Sequence, residues 1–147
     1  MALDLIVRNA RLAHAAADAP AVDIGIQNGV IKAIEPKLAA DGPGHDARGC
    51  LVSPGLVESH FHLDKVMIVD RVPLQPNRMV RDHMERTASI KHTFTVEDVY
   101  KRSAATLDQC ILNGAGYMRT HIEVDPNVGL NGFDALERLA KDYAWGF

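Results

Sequence analysis

Leu51-Val52-Ser53-Pro54-Gly55-Leu56-Val57-Glu58-Ser59-His60-Phe61-His62-Leu63-Asp64 carries an apolar run into a His-x-His pair, and an acid follows two residues later. Side chains alternate faces along a strand, so positions i and i+2 point the same way. Two imidazoles on one face, at the end of a buried strand, are a pair of donors for a divalent metal. A metal in a cleft turns water into a nucleophile near neutral pH. His60 and His62 are therefore candidate metal ligands. A bare His-x-His is too short a pattern to carry that reading, and in most proteins it is ordinary surface or core histidine; here the flanking residues carry it. Strand parity puts Glu58 on the face of His60 and His62, whereas a bulge or bend near Ser59 would remove it, so both placements stay open. Pro54 cannot donate to a sheet ladder, so the run reads as a strand, or a pair of strands, interrupted at Ser53-Pro54-Gly55.

Downstream, the pattern alternates between strand and helix. After Asp64 a long stretch reaches Thr95 and includes Pro73 and Pro76. It reads as a loop holding one short amphipathic helix, with Met79, His83 and Met84 as its packing face. Thr95-Val96-Glu97-Asp98 resembles a capping box with Asp in place of Glu or Gln. A helix is predicted from there to Asn113, where Asn113-Gly114 suits its C-terminal stop. Ala115 to Val124 reads as a strand ended by Asp125-Pro126. A second helix is predicted from Asn131, with Leu136, Leu139 and Tyr143 on one side. Strand, helix, strand, helix implies parallel strands with crossover connections.

Upstream, Leu3 to Glu35 reads as short strands. Val22 to Gln27 alternates clearly, Asn28-Gly29 is a strong hairpin signal, and Val30 to Ile34 returns as the partner strand. Residues 13 to 21 and 36 to 49 read as loops. The composition, with 47% apolar and 24% charged residues over 147 positions, suits a soluble protein with one modest core. No stretch approaches the roughly 18 apolar residues of a membrane span. The start carries charges inside its apolar run and lacks a basic leader, so a secretory signal is not expected and a cytoplasmic location is. Cys50 and Cys110 match no metal or redox spacing and read as reduced core or near-core thiols. A net charge of -3 without a basic block argues against nucleic acid as a partner.

These residues together resemble the metal-dependent amidohydrolase superfamily. Leu51 to Asp64 resembles the first barrel strand of that superfamily, and within it the cytosine deaminase group is the most similar. The helix from Thr95 to Asn113 resembles that group's first barrel helix, and Met118-Arg119-Thr120-His121-Ile122-Glu123-Val124 resembles its Arg-Thr-His second strand. The N-terminal hairpin resembles the small β-sandwich that precedes the barrel. The resemblance implies an α/β fold: a β-sandwich part over residues 1–53, then over 54–147 the first two β/α units of a (β/α)8 TIM barrel, with a third strand due near Trp145-Gly146-Phe147. Chemistry in such barrels sits at the C-terminal ends of the strands.

The resemblance further implies one divalent metal, zinc or iron, held in part by His60 and His62. The remaining ligands and the general acid/base are expected beyond residue 147, which leaves the metal site incomplete and the isolated chain inactive. Asp64 and His121 are implied as substrate-site or orienting residues. For His121 the alternative is a hydrogen-bonded histidine at a strand end. Lys65 stands where cytosine deaminases usually carry a small polar residue, which leaves other cyclic amide or amidine substrates open. The implied reaction is hydrolysis of a non-peptide C–N bond in a small cyclic substrate, with neither nucleic acid nor membrane as partner. Two alternatives stand beside it. One is a non-catalytic module that pairs through open sheet edges with itself or another chain. The other is a ring-opening amidohydrolase like hydantoinase or dihydroorotase.

Overall fold

A computed structural model describes residues 2–72 and 79–145, so Pro73, Pro76 and the Gly146-Phe147 end of the expected third strand lie outside the described residues. The chain is a mixed α/β protein that divides into two compact units, Met1–Pro54 and Gly55–Phe147.

The first unit is a five-stranded sheet. Strands β1 (Leu5–Leu12), β2 (Val22–Gln27) and β3 (Val30–Glu35) pair antiparallel, and β4 (Gly44–Asp46) and β5 (Leu51–Val52) both pair parallel with β1. Asn28 and Gly29 both take positive φ, at 52° and 69°, as the hairpin turn requires. Residues 36–49 are not wholly loop: β4 forms because β1 offers it a free edge, a cause that no local pattern displays. Ala10, Ile24 and Ala47 form a buried cluster on one face of the sheet, and Ile6, paired with Gly25, is buried on the other. Cys50 is exposed, in a turn closed by its own N–H on the Ala47 carbonyl, which corrects its assignment to the core.

The second unit begins with β6 (Leu56–Phe61), passes through α1 (Val80–Ile90) and α2 (Val96–Leu112), and returns as β7 (Ala115–Thr120), parallel to β6. Helix α3 (Asn131–Asp142) follows. Strand β7 stops at Thr120, short of the expected Val124, because its neighbour β6 ends at Phe61. One apolar cluster joins Leu63, Leu107, Leu136 and Leu139, with Phe61 and Met118 packed on it from the strands; a second joins Phe94, Val99, Val128 and Ala135. Helix α1 has no buried residue, so Met79, His83 and Met84 are not a packing face.

Thr95 caps α2 as its sequence suggests: the hydroxyl accepts the Asp98 N–H at 3.2 Å. The Asp98 carboxylate does not complete the box. It turns outward to Arg71 at 2.6 Å and to Arg102 at 3.0 Å. Arg102 is only 6% exposed. Besides Asp98, its guanidinium donates to the Val66 carbonyl at 2.6 Å and to the Asp64 carbonyl at 3.3 Å, and it stacks over the Phe94 ring at 4.8 Å. The neighbouring Ser103 hydroxyl donates to the Leu63 carbonyl at 2.7 Å. One turn of α2 therefore holds the backbone that follows His62.

Arg102→Met takes one of two donors from the partly buried Asp98 carboxylate and removes the guanidinium from the Asp64 and Val66 carbonyls, so a loss of about 3 kcal/mol is expected in urea unfolding. Arg102→Lys is expected to recover only part of it, because an ammonium cannot fork to all three acceptors. Burial pushes the Asp98 carboxyl up, but hydrogen bonds from Arg71 and Arg102 outweigh it and hold it below the usual 3.8. Its stabilising effect is thus full above that value and is lost as pH falls through the lower folded value. An acid unfolding series should show this dependence in the wild type and a shallower one in Asp98→Asn.

Candidate metal centre

Because β6 and β7 run parallel, their C-terminal ends lie side by side. His60 is the penultimate residue of β6, His62 follows its end, and His121 follows the end of β7. The His121 N–H donates to the Phe61 carbonyl at 2.7 Å and extends the ladder by one step. Three imidazoles meet as a result. The ring of His121 lies 4.3 Å from that of His60 and 5.3 Å from that of His62, and His60 and His62 are 5.4 Å apart, centroid to centroid. His121 thus stands among the other two histidines.

Glu58 does not join them. The register between β6 and β7 slips between Glu58 and Phe61, where three residues on β6 span what two span on β7, from Met118 to Thr120. Met118, paired with Glu58, packs on the helix-side cluster. Burial first, and then the nearby Glu58 charge, pushes up the thiol of Cys110 on α2. The Glu58 carboxylate accepts the His60 N–H at 3.0 Å, which pins the bulge from that side.

His62 is half-buried and its pKa lies below the usual 6.5. Burial is the main cause and the Lys65 charge the next, while the Asp64 charge opposes them. The ring is therefore neutral at neutral pH, the form that binds metal. His62 Nδ1 and Asp64 Oδ1 are both buried without a hydrogen-bond partner among the described residues and stand 3.9 Å apart, too far for a bond. Asp64, 4% exposed, accepts the Glu123 N–H at 2.9 Å through its other oxygen, so it fastens the segment after β7 beside His62. Gly132, in the first turn of α3, makes room for this: a Cβ there would meet Ile122 Cγ2 at 3.2 Å and Asp64 Cβ at 3.5 Å.

A chain of charges continues from Glu123. One carboxylate oxygen accepts Lys65 Nζ at 2.9 Å, and the other accepts Lys91 Nζ, which also donates to Asp125 at 2.7 Å. Hydrogen bonds from Lys91 and then Lys65 hold the Glu123 carboxyl below the usual 4.5. Lys91 is 8% exposed; burial pulls its pKa down, but Asp125 and Glu123 more than offset that and leave it raised. Sequence reasoning missed Lys91, Asp125, Glu123 and Arg102. Only Glu123, two residues past His121, carried a signal, as an acid beside a candidate site.

The donors suit a divalent metal in kind: three imidazoles, one held neutral, with a buried carboxylate facing the inner nitrogen of that ring, as acids behind metal-bound histidines commonly do. Among the described residues, no group of three or more His, Cys, Asp or Glu side chains is closed to metal-binding geometry. No described helix is long and apolar enough to cross a membrane.

The sequence profile of the Amidohydrolase family matches residues 44–145. The N-isopropylammelide isopropyl amidohydrolase of Pseudomonas sp. strain ADP is 33% identical over 127 residues, which cover 83% of this chain and 31% of that protein. The crystal structure of 5-methylcytosine deaminase from Klebsiella pneumoniae with phosphonocytosine superposes with a TM-score of 0.82 at 27% identity, over 97% of this chain and 34% of that one. The N-isopropylammelide isopropylaminohydrolase of Burkholderia multivorans gives 0.77 at 27% identity, over 95% and 34%. The chain thus spans about a third of the length of these relatives.

An NMR titration of the imidazole Cε1 protons should give His62 a midpoint below 6.5, and Lys65→Met should raise it by removing a neighbouring positive charge.

Proposed function

The chain belongs to the amidohydrolase family, and we propose that it forms the N-terminal part of a metal-dependent hydrolase of non-peptide C–N bonds, acting on a cyclic amide or amidine. In this reading, residues 1–53 are a β-sandwich part, and 54–147 hold the first two β/α units of a (β/α)8 barrel. The observation that carries it is the meeting of His60, His62 and His121 at the C-terminal ends of adjacent parallel strands, the end at which such barrels do their chemistry. The relatives named for deaminating or cleaving amines on nitrogen heterocycles favour the same bond type.

His60 and His62 would hold a zinc or iron ion. When bound, a divalent metal supplies Lewis acidity and a nucleophile from water near neutral pH. The chain's own residues then have distinct tasks. His62 offers its outer nitrogen, and the Asp64 carboxylate faces the inner one at 3.9 Å as a nearby negative charge. His121 borders the space a substrate ring would enter. Lys65, charged and anchored by Glu123, presents a donor to a ring carbonyl. Catalytic zinc needs three protein ligands and an open position, and the described residues do not close such a set. The 147 residues are therefore inactive alone in this reading.

Equilibrium dialysis with zinc tests it. The chain should bind zinc, His60→Ala and His62→Ala should abolish binding, and Asp64→Asn should weaken it by about 10–100-fold, the usual cost of removing an orienting partner. Ammonia release from cytosine and related ring amides should stay at background. Turnover near the roughly 10 s⁻¹ of an ordinary enzyme would overturn the inactivity, and zinc binding indifferent to His60 and His62 would overturn the ligand assignment.

A further inference from the structure

The ladder between β6 and β7 ends in an irregular step. The His121 N–H donates to the Phe61 carbonyl, which sets His121 opposite His62. In a regular parallel pair the His121 carbonyl would next accept the Leu63 N–H, because a residue on one strand bonds to both neighbours of its partner. A side chain interrupts that step. The Leu63 N–H donates to Thr120 Oγ1 at 3.1 Å, and the same hydroxyl donates to the His121 carbonyl at 3.3 Å. The next crossing also runs through a side chain, since the Glu123 N–H goes to the Asp64 carboxylate at 2.9 Å. A path through a side chain is longer than a direct bond between backbones, so the two chains part here. His62 and His121 stand at the parting, with ring centroids 5.3 Å apart.

We infer that Thr120 is a positioning residue of the site. Its hydroxyl, inserted between the Leu63 N–H and the His121 carbonyl, sets the spacing of His62 and His121. The chemistry of threonine suits the place. A hydroxyl accepts one hydrogen bond while it donates another, so it satisfies the N–H and the carbonyl without letting them meet. Thr120 lies on the face of Met118, toward the helices, and borders an apolar cleft with Leu63, Leu136 and Leu139. It therefore acts on the histidines through the backbone on either side of them. The hydroxyl of Thr106 on α2 offers a contrast, being buried without a partner among the described residues. The inference rests on the proposed function only in taking the histidine cluster as the site.

NMR scalar couplings across hydrogen bonds, read on the metal-free protein, test the wild type directly. A coupling from the His121 nitrogen to the Phe61 carbonyl carbon should appear, and none from the Leu63 nitrogen to the His121 carbonyl carbon. Thr120→Ala removes the inserted group, so the Leu63–His121 coupling should appear and the nuclear Overhauser contact between the His62 and His121 rings should strengthen. Thr120→Ser keeps a hydroxyl and should keep both wild-type readings. Thr106→Ala should change neither, which controls for the loss of a threonine. In zinc dialysis, Thr120→Ala should weaken binding about tenfold, the lower end of the cost of losing a residue that orients a ligand, and Thr120→Ser should restore it. A Leu63–His121 coupling in the wild type would overturn the inference whatever the variants do. So would unchanged ring contacts in Thr120→Ala, or a Thr120→Ser variant that behaves like the alanine one. Failure of the wild type to bind zinc would remove the metal reading and leave this inference to the metal-free spectra. Zinc binding through His60 and His62, with Thr120→Ala matching the wild type in affinity and ring contacts, would do the reverse.

Discussion

The buried guanidinium of Arg102 fixes the ground on which the candidate site stands. It joins α2 to the backbone of residues 64–66 through two carbonyls, and it is neutralised by Asp98 one helical turn away. A buried cation is tolerated only when its donors are satisfied. Here the satisfaction also does geometric work, since the carbonyls it takes belong to the short 3-10 turn that follows His62. With Ser103 on the Leu63 carbonyl and Leu107 packed with the Leu63 side chain, α2 both buries that turn and fixes its position.

Around the histidines the electrostatic pattern separates two kinds of group. Imidazole His62 is kept neutral by burial and by the positive charge of Lys65. The carboxylates Glu123 and Asp125 are kept ionised by the ammonium of Lys91. A neutral donor thus sits beside a charged scaffold that is internally compensated. The scaffold reaches across chain positions far apart, from Lys65 through Glu123 to Lys91, and it binds α1 to the end of β7.

Local rules made much of this legible. Asn28-Gly29 announced a turn whose positive φ values only such residues adopt cheaply, and Thr95 and Asn113-Gly114 bracketed α2. His60 and His62 were readable as a pair because their spacing is short. What stayed hidden depended on partners distant in sequence. Strand β4 exists only because β1 has a free edge. The bulge that turns Glu58 away from the histidines is a property of the β6–β7 pairing, not of either strand. Met79, His83 and Met84 have the periodicity of a packing face, and periodicity does not say whether anything packs there. Lys91, an ordinary lysine by its neighbours, is buried because Glu123 and Asp125 come to it from more than thirty positions away.

Gly132 has no chemistry to offer, yet it sits where the first turn of α3 meets the back of Asp64. A side chain there would press first on the Ile122 methyl, which a Cβ would meet at 3.2 Å, while Asp64 Cβ at 3.5 Å would stay in ordinary contact. The strain would fall on the segment between β7 and α3 that carries the Glu123 N–H to Asp64, so a change at this silent position would be felt in a connecting loop before any helix or strand registered it.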